Sequence, residues 1–472
     1  MARVASTRGR DLDSYFEVSR RGSTVRTEVI AGLTTFMTMA YILFLNPVIL
    51  NTVPDREGVQ LERAEVLTVT ALVAGVMTLA MGIYGRYPFA IAAGLGLNAV
   101  VTFQLVGAAQ LTWPEAMGVV VLEGIVITIL VLTKFRQAVM DAVPLPLKQA
   151  IAVGIGLFIT IIGFVDAGFV TSTQQPVPPL QLGTGNELRG WPIAVFIVGL
   201  LLIIWLYLRR VRGALLWGIL GATLFAIAVN YAFLDGEGFG ANARLENPFD
   251  VPSLDNFALL GDFSFGFFAE LGVISALLAV FTLMLSDFFD TMGTVVGLGR
   301  EGNLLDERGR LPGTDRVLLV DSVAAVAGGA ASSSSNTTYI ESASGIAEGG
   351  RTGLTAVVVG VLFLLAVFLA PLANIIPIHA TAPALVVVGF LMMTAVRDIP
   401  WEDLELAIPA FLTMVVMPFT YSITNGIGAG FVSYVFIKLA RGKPREVHPM
   451  MWIASIAFLI YFGIFYVRDW LT

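Results

Sequence analysis

The sequence contains no cysteine, only two histidines and unusually few charged residues. The lack of cysteine excludes disulfides, thiolate metal sites and cysteine nucleophiles. With only His379 and His448 available, a histidine-built metal site is not expected. Charged residues make up 13% of the chain, against about 25% in soluble domains, which indicates that most of the surface faces lipid. A net charge of −7 and short basic runs do not indicate nucleic-acid binding.

Apolar residues dominate instead, with 56% of the chain hydrophobic and a mean hydropathy of +0.82. Apolar runs of membrane-spanning length recur throughout, which predicts an all-α polytopic membrane protein. Residues 1–28 are rich in arginine and lack the pattern of a cleavable signal. By the positive-inside rule we expect them to be a cytoplasmic segment of a cell-membrane protein.

The apolar segments predict about 14 spans, seven in each half of the chain. An acidic segment, residues 234–267, separates the halves on the outer side. An odd number of spans per half makes the two repeats inverted. The final part is less regular, because Leu406–Met417, Ile427–Leu439 and Met451–Val467 give one segment too many. We expect one of these three to be short, re-entrant or interfacial.

The third hydrophobic segment is interrupted by Pro88 and by the run Gly94-Leu95-Gly96-Leu97-Asn98. This pattern predicts a broken helix: a short extended piece, then a half-helix that begins near Gly96. A half-helix N-terminus at the bilayer midplane presents free N–H groups. The Asn98 amide can both donate and accept there. The alternative is that the glycines only allow close helix packing.

The tenth segment, Ser332–Arg351, is interrupted at the corresponding place in the second half. Small polar residues at membrane depth must line a cavity or be buried in protein. Paired interruptions of this kind indicate a transport site. Glu341 is therefore a candidate site residue, and Thr338 is placed with it. Glu348 and Arg351 are expected at the inner mouth, as a gate or as a solvated end.

Three acids fall within predicted spans: Asp287, Asp290 and Glu341. Two carboxylates close together do not both ionise easily, so a proton-coupled site is plausible without metal or cofactor. Acids and amides suit a neutral heterocycle, whereas an anion would favour Arg or Lys. Asp287 could alternatively form an ion pair or cap a helix at the cytoplasmic end. Glu123 and Asp321 are either structural or buried partners of moving parts.

Span 1 is unusually polar at Thr34-Thr35-Phe36-Met37-Thr38. Its threonines either bond the carbonyls of their own helix or face a cavity. Thr38 is included among the candidate site residues. Phe36 is either a packing residue or a platform on which a flat base stacks.

Four motifs in this order resemble the AzgA-like purine permeases, which belong to the nucleobase transporter superfamily with the xanthine and uracil permeases. The resemblance spans nearly the whole chain. The motifs are TEVIAGLTTFMTMAYI from Thr27, GLGLN from Gly94, DFFDTMGT from Asp287 and ESASGIAEGGRTGL from Glu341.

The resemblance implies a uracil-permease-like fold in which spans 3 and 10 are broken. A core domain would comprise spans 1–4 (residues 29–133) and 8–11 (268–372). A gate domain would comprise spans 5–7 (146–233) and 12–14 (382–468). The resemblance also implies elevator-like proton symport of adenine, guanine and hypoxanthine. Purine would bind at Asp290, Glu341, Gly96 and Asn98. Proton coupling is assigned to Asp287, Asp290 and Glu341, and a homodimer is possible.

Three alternatives remain open. An anion exchanger of the same architecture should carry a cation near the half-helix tips, and a uracil or xanthine transporter would share the fold. A channel should show repeated selectivity loops. An intramembrane enzyme would need a base beside its nucleophile, but Ser332–Ser335 have no nearby His or Lys, so we expect no enzyme.

Overall fold

The computed structural model describes residues 13–133, 142–173, 179–236, 238–239, 243–244, 251–306 and 311–471. The first 12 residues of the expected cytoplasmic segment therefore lie outside the described part. Within that part, nine helices are long and apolar enough to cross a bilayer, and four more apolar helices are shorter. This is the polytopic helical architecture that the composition predicts.

The first half contains spans 1–7 and one small hairpin. Its elements are α1 (Val25–Met39), α2 (Ile42–Leu50), α3 (Arg63–Ala80, continued as π-helix to Gly85), β1 (Ile91–Ala93), α4 (Leu95–Ala99, continued as π-helix to Ala108), α5 (Trp113–Leu132), α6 (Leu145–Asp166), β2 (Val170–Ser172), β3 (Leu180–Leu182), α7 (Trp191–Leu208) and α8 (Ala214–Phe233). Strands β2 and β3 pair antiparallel between α6 and α7.

The second half repeats this order. After a 3₁₀ turn at Leu254–Phe257 come α9 (Phe267–Leu271), α10 (Val273–Glu301), α11 (Thr314–Ala330), β4 (Asn336–Thr338), α12 (Ser342–Ala347), α13 (Gly353–Ala366), α14 (Leu372–Ile375), α15 (Ile378–Met393), α16 (Leu404–Thr420), α17 (Ile423–Ala440) and α18 (Pro449–Leu471). Further 3₁₀ turns lie at Val367–Leu369, Thr394–Asp398 and Pro444–Glu446.

Helix boundaries follow local capping signals. Thr112 accepts from the backbone N–H of Glu115, and the Glu115 side chain accepts in return from the Thr112 backbone. This capping box starts α5. The Ser422 hydroxyl accepts from the backbone N–H of Asn425 and so starts α17 after a tight turn.

The two broken spans cross each other through their extended pieces. Strands β1 and β4 pair antiparallel, with Ala92 opposite Thr337 at the centre. Every residue of both strands is buried. The predicted extended piece and half-helix of span 3 are confirmed as β1 and α4, which begins after Gly94 rather than at Gly96. Pairing satisfies backbone groups that lipid could not.

The contacts between helices repeat when each span is exchanged for its counterpart in the other half, seven positions away along the chain. Spans 2 and 11 pack together as α3 and α13, and spans 9 and 4 pack together as α11 and α5. Likewise, α7 packs on α8 as α16 packs on α17. Spans 5 and 12, which are α6 and α15, are each other's counterparts in the two repeats, and they pack directly against each other. These are the contacts of two repeats of seven spans.

The helices pack in two bundles. The strand-bearing bundle contains α1–α5 and α10–α13 with β1 and β4, and the second bundle contains α6–α8 and α15–α17.

The three terminal apolar segments are all helices, α16 to α18, of 17, 18 and 23 residues. Leu404–Thr420 and Pro449–Gly463 are among the shorter apolar helices, so the expectation that one of the three is short, re-entrant or interfacial stays a prediction. Helix α18 is additional to the two repeats and packs on α17 and α10.

Glycines let paired helices approach closely in both bundles. A Cβ on Gly353 would lie 1.9 Å from the carbonyl oxygen of Gly82, and one on Gly82 would lie 2.5 Å from that of Gly353. Gly156 and Gly389 make the same reciprocal contact between α6 and α15. These backbones leave no room for a side chain.

We predict that Gly353→Ala lowers the stability of the protein in detergent by about 1–3 kcal/mol, because the new methyl group collides with backbone. The measurement is the thermal unfolding midpoint of the purified protein. Gly463→Ala is the control, since nothing lies within 4 Å of a Cβ at that helical position. An unfolding midpoint that is equal for wild type and Gly353→Ala would contradict the packing described.

Candidate functional site

The crossing strands are fixed by a carboxylate beneath them. Asp321 on α11 accepts from the backbone N–H of Thr338 (2.8 Å), from the Thr338 hydroxyl (2.6 Å) and from the Thr291 hydroxyl (2.6 Å). Thr338, a predicted site residue, thus has its side chain bound to Asp321. We infer that Thr338 positions β4.

Glu341 lies at the start of α12, directly after the crossing. Its Oε1 accepts a hydrogen bond of 2.6 Å from the hydroxyl of Tyr41. Tyr41 is a buried residue in the short link that joins α1 to α2. Asp290 on α10 is exposed, and it lies near enough to Glu341 for the two to interact electrostatically. Tyr339 interacts electrostatically with both acids, as Tyr41 does. The two predicted acids and the two phenols thus lie within electrostatic range of one another.

The polar segment of span 1 lies against α12. Thr38 Oγ1 is 2.7 Å from the Ser344 hydroxyl and 2.8 Å from the carbonyl oxygen of Thr35. Both expectations for this threonine, bonding its own helix and facing the site, therefore hold. The ring of Phe36 packs edge to face on Phe363, with 5.1 Å between centroids.

Asn98 and Gly96 lie on α4, the half-helix of the other broken span. The N-cap residue of α4 is Gly94, whose N–H donates to the carbonyl oxygen of Ser335 (2.9 Å) and so ties α4 to span 10. Asn98 is fully buried, and neither atom of its amide has a hydrogen-bond partner among the described residues. Gly96 faces the second bundle, where its Cβ would meet Ile155 at 2.7 Å.

An unpartnered buried amide is costly unless something binds it. The Asn98 side chain can offer a ligand one acceptor and two donors. A binding role accounts for its presence, whereas packing alone would favour an apolar residue there.

A cavity of about 590 Å³ separates the two bundles. Thr38, Glu341 and Ser344 line it on one side, and residues 207, 208 and 210–215 with Leu391 line it on the other. Pockets for small ligands typically measure about 300–1,000 Å³. Glu341 therefore lines the same cavity as Arg210 and Arg212, both of which are exposed.

Asp287 lies in the interior of α10, 1% exposed, so it does not cap a helix. Its Oδ2 accepts from the Ser335 hydroxyl at 3.1 Å, and no salt bridge to it is recorded among the described residues. The same hydroxyl lies 3.4 Å from Oε2 of Glu123. Asp287 therefore belongs to a separate buried cluster with Ser335 and Glu123, whereas Glu341 lines the cavity.

Sequence reasoning missed Tyr41 and Ser344 as members of the site. Tyr41 lies three residues after Thr38, the last residue of the polar threonine segment, and Ser344 lies one helical turn after Glu341. Both carry hydroxyl groups within predicted spans, which is the signal that could have identified them. Of the inner-mouth residues, Glu348 pairs with Arg212 across the two bundles.

Residues 26–428 match the model of the Permease family. The chain belongs to this family. The guanine/hypoxanthine permease PbuG of Bacillus subtilis is 36% identical over 96% of this chain and 99% of its own. The adenine permease AdeQ of Escherichia coli is 36% identical over 95% of each chain. The resemblance stated from the four motifs is thereby confirmed.

Solved structures of other transporters match this permease in fold. The transmembrane domain of the cyanobacterial bicarbonate transporter BicA aligns with a TM-score of 0.61 at 15% identity, over 86% of this chain and 96% of that one. The murine anion transporter Slc26a9 aligns with a TM-score of 0.60 at 9% identity, over 88% and 68%. These likenesses show the fold, two inverted repeats of seven spans.

We predict that Asn98→Ala leaves the ligand-free permease as stable as the wild type or stabilises it, because a buried amide without partners is removed. Asn46→Ala is the matched control. The Asn46 amide is equally buried but donates to Thr70 (2.7 Å) and to the carbonyl of Ser333 (3.1 Å). It should lose about 1–3 kcal/mol. Equal losses of thermal stability in both variants would argue against a ligand-facing Asn98.

Proposed function

We propose that this permease is a secondary transporter that takes up purine nucleobases together with protons. The observation that carries the proposal is the site at the crossing of the broken spans. There, Glu341 accepts a hydrogen bond from Tyr41, Asp290 lies within electrostatic range of Glu341, and the unpartnered Asn98 amide lies on the opposing half-helix.

The chemistry of this site suits a purine. A purine edge alternates ring N–H donors with ring-nitrogen or carbonyl acceptors. Carboxylates of Asp290 and Glu341 accept from the donors, and donate instead when protonated. The Asn98 amide and the N–H groups at the start of α4 complete the edge. The cavity is large enough for a bicyclic base.

Charge separates this proposal from anion exchange. The transporters with the same fold are named for bicarbonate and anions, but a fold hosts many substrates. At the crossing, the charged residues recorded as interacting with one another are acids. The cavity's arginines, Arg210 and Arg212, lie among its exposed residues. Relatives more than twice as similar in sequence are named for guanine, hypoxanthine and adenine.

The two bundles supply the moving parts. We assign the strand-bearing bundle as the core domain and the second bundle as the gate domain. The side chain of Gln104, on the core, bonds the backbone N–H of Ile423 (3.1 Å) and the Thr424 hydroxyl at the start of α17. The Arg212–Glu348 pair joins the domains near the arginine-rich turn after α7. Breaking one contact while keeping the other would let the core move past the gate in an elevator-like step.

The arginine-rich turn also sets the orientation. Arg209, Arg210 and Arg212 follow α7, and Arg351 follows α12. By the positive-inside rule this end is cytoplasmic. The cavity that reaches Glu341 includes Arg210 and Arg212, which supports assigning it as the cytoplasmic opening of the substrate site.

We predict that Glu341→Ala reduces uptake of radiolabelled hypoxanthine into proteoliposomes by about 10- to 100-fold, since hydrogen bonds to a charged group contribute about 1.5–3 kcal/mol each. Glu57→Gln, an exposed carboxylate in the loop before α3, is the control and should transport normally. Normal uptake by Glu341→Ala would remove the proposed binding site.

We predict that an inward proton gradient accelerates hypoxanthine uptake and drives accumulation above equilibrium, because a proton enters with each substrate. The measurement compares proteoliposomes with an acidic exterior to the same vesicles after a protonophore collapses the gradient. Uptake that is unaffected by the protonophore would remove the symport claim, while leaving nucleobase transport intact.

A further inference from the structure

A second group of acids lies inside the strand-bearing bundle, apart from the cavity. Glu123 on α5 is 0% exposed, and Asp287 on α10 is 1% exposed. Ser335, directly before β4, is also fully buried and lies between them. Three different spans thus bring polar side chains to one enclosed point.

The geometry of this group requires a proton. The Ser335 hydroxyl lies 3.1 Å from Oδ2 of Asp287 and 3.4 Å from Oε2 of Glu123. The hydroxyl carries a single hydrogen, so it can donate to only one of the two carboxyl groups. The other carboxyl can bond the same oxygen only as a donor, and an ionised carboxylate cannot donate, so one of the two must be protonated. The remaining oxygens, Glu123 Oε1 and Asp287 Oδ1, have no partner among the described residues.

In the part of the chain that the structure describes, no cation neutralises the pair. The charged groups there that interact with Asp287 are Glu123, Asp321 and Asp290, and Asp321 also interacts with Glu123. All of them are acids. Asp321 contrasts with the pair, because three donors satisfy its carboxylate. Glu123 and Asp287 share one hydroxyl, too little to hold two negative charges away from water.

We propose that the Glu123–Asp287 pair, bridged by Ser335, is the proton-carrying site of the transport cycle. The inference rests on the proposed function and deepens it. It assigns the transported proton to a pair behind the crossing strands, and it leaves Asp290 and Glu341 to bind the base.

The pair is placed to couple protonation to substrate binding. Ser335 accepts a backbone hydrogen bond from Gly94, at the start of the opposing half-helix. Asp287 lies three residues before Asp290 on one helix, so the two carboxyls lie on nearby faces. Losing the shared proton would force the two carboxyls apart and move the hydroxyl between them. That movement would alter both the Glu123–Asp287 pair and the base-binding site at Asp290 and Glu341. Because coupling between two sites is reciprocal, binding of the base would in turn alter the proton affinity of the pair.

A small cavity lies beside the pair. A space of about 10 Å³ between α5, α10 and α11 has Asp287 and Asp321 in its wall, together with Ile127 and Val131 near the end of α5. That volume is about the room one water needs. A single water there can pass a proton to Asp287 without opening the substrate cavity.

The test uses purified full-length protein in proteoliposomes, with the carboxyl-to-amide variants Glu123→Gln and Asp287→Asn. Two readouts are taken from each: counterflow exchange of radiolabelled hypoxanthine, which needs no net proton movement, and acidification of a dye-loaded lumen during uptake. We expect both variants to keep exchange within about threefold of the wild type and to lose at least tenfold of the substrate-driven acidification. Glu62→Gln, an exposed acid before α3, is the control for both readouts.

Substrate-driven acidification at the wild-type level in both variants would overturn the inference. So would an uptake that requires sodium and moves no protons, since a cation would then occupy the pair. Failure of the proposed function looks different, because the wild type itself would then show no hypoxanthine exchange.

Ser335→Ala keeps both carboxyls and serves if an amide variant does not fold. It should shift the pH at which uptake is half-maximal by about half a unit or more, because a hydrogen bond to the titrating group is lost. An unchanged midpoint with normal exchange would contradict the assignment.

Discussion

The structure depends on one constraint: a backbone that leaves the helical conformation within a bilayer must find its hydrogen bonds in the protein. Spans 3 and 10 meet this constraint together, because β1 and β4 pair with each other across the middle of the molecule. Neither span can break alone. The pairing also aligns the two half-helices, α4 and α12, whose first residues carry the candidate binding groups. The fold and the site thus arise from the same few backbone hydrogen bonds.

Close packing supports the crossing on all sides. Reciprocal glycine contacts join α3 to α13, and the Asp321 carboxylate holds Thr338 and Thr291 from below. These contacts make the strand-bearing bundle a firm unit. The strand-bearing bundle contacts the second bundle through side chains instead: a hydrogen bond made by Gln104 and a salt bridge made by Arg212. Such bonds exchange more readily than interlocked backbones, which is what a moving transporter requires.

Much of this architecture could be predicted from the sequence. Hydrophobic runs and arginine placement gave the spans, and Pro88 with the two neighbouring glycines marked the break in span 3. The site was harder to predict. Asp287 and Asp290 lie three residues apart in one predicted span, and only the fold shows that Asp287 is enclosed near Glu123, whereas Asp290 is exposed and within electrostatic range of Glu341. The Tyr41 contact joins residues 300 positions apart, so no local pattern could reveal it. Helix α18 lies outside the repeat and had no counterpart to predict it.

The central claim is that acids and an amide at the crossing recognise a purine edge. Competition binding to the purified protein tests it most directly, with radiolabelled hypoxanthine as the probe and guanine, adenine, uracil and sulfate as competitors. The account predicts displacement by the purines, weaker displacement by uracil and none by sulfate. Displacement by sulfate, or the absence of any saturable hypoxanthine binding, would contradict it.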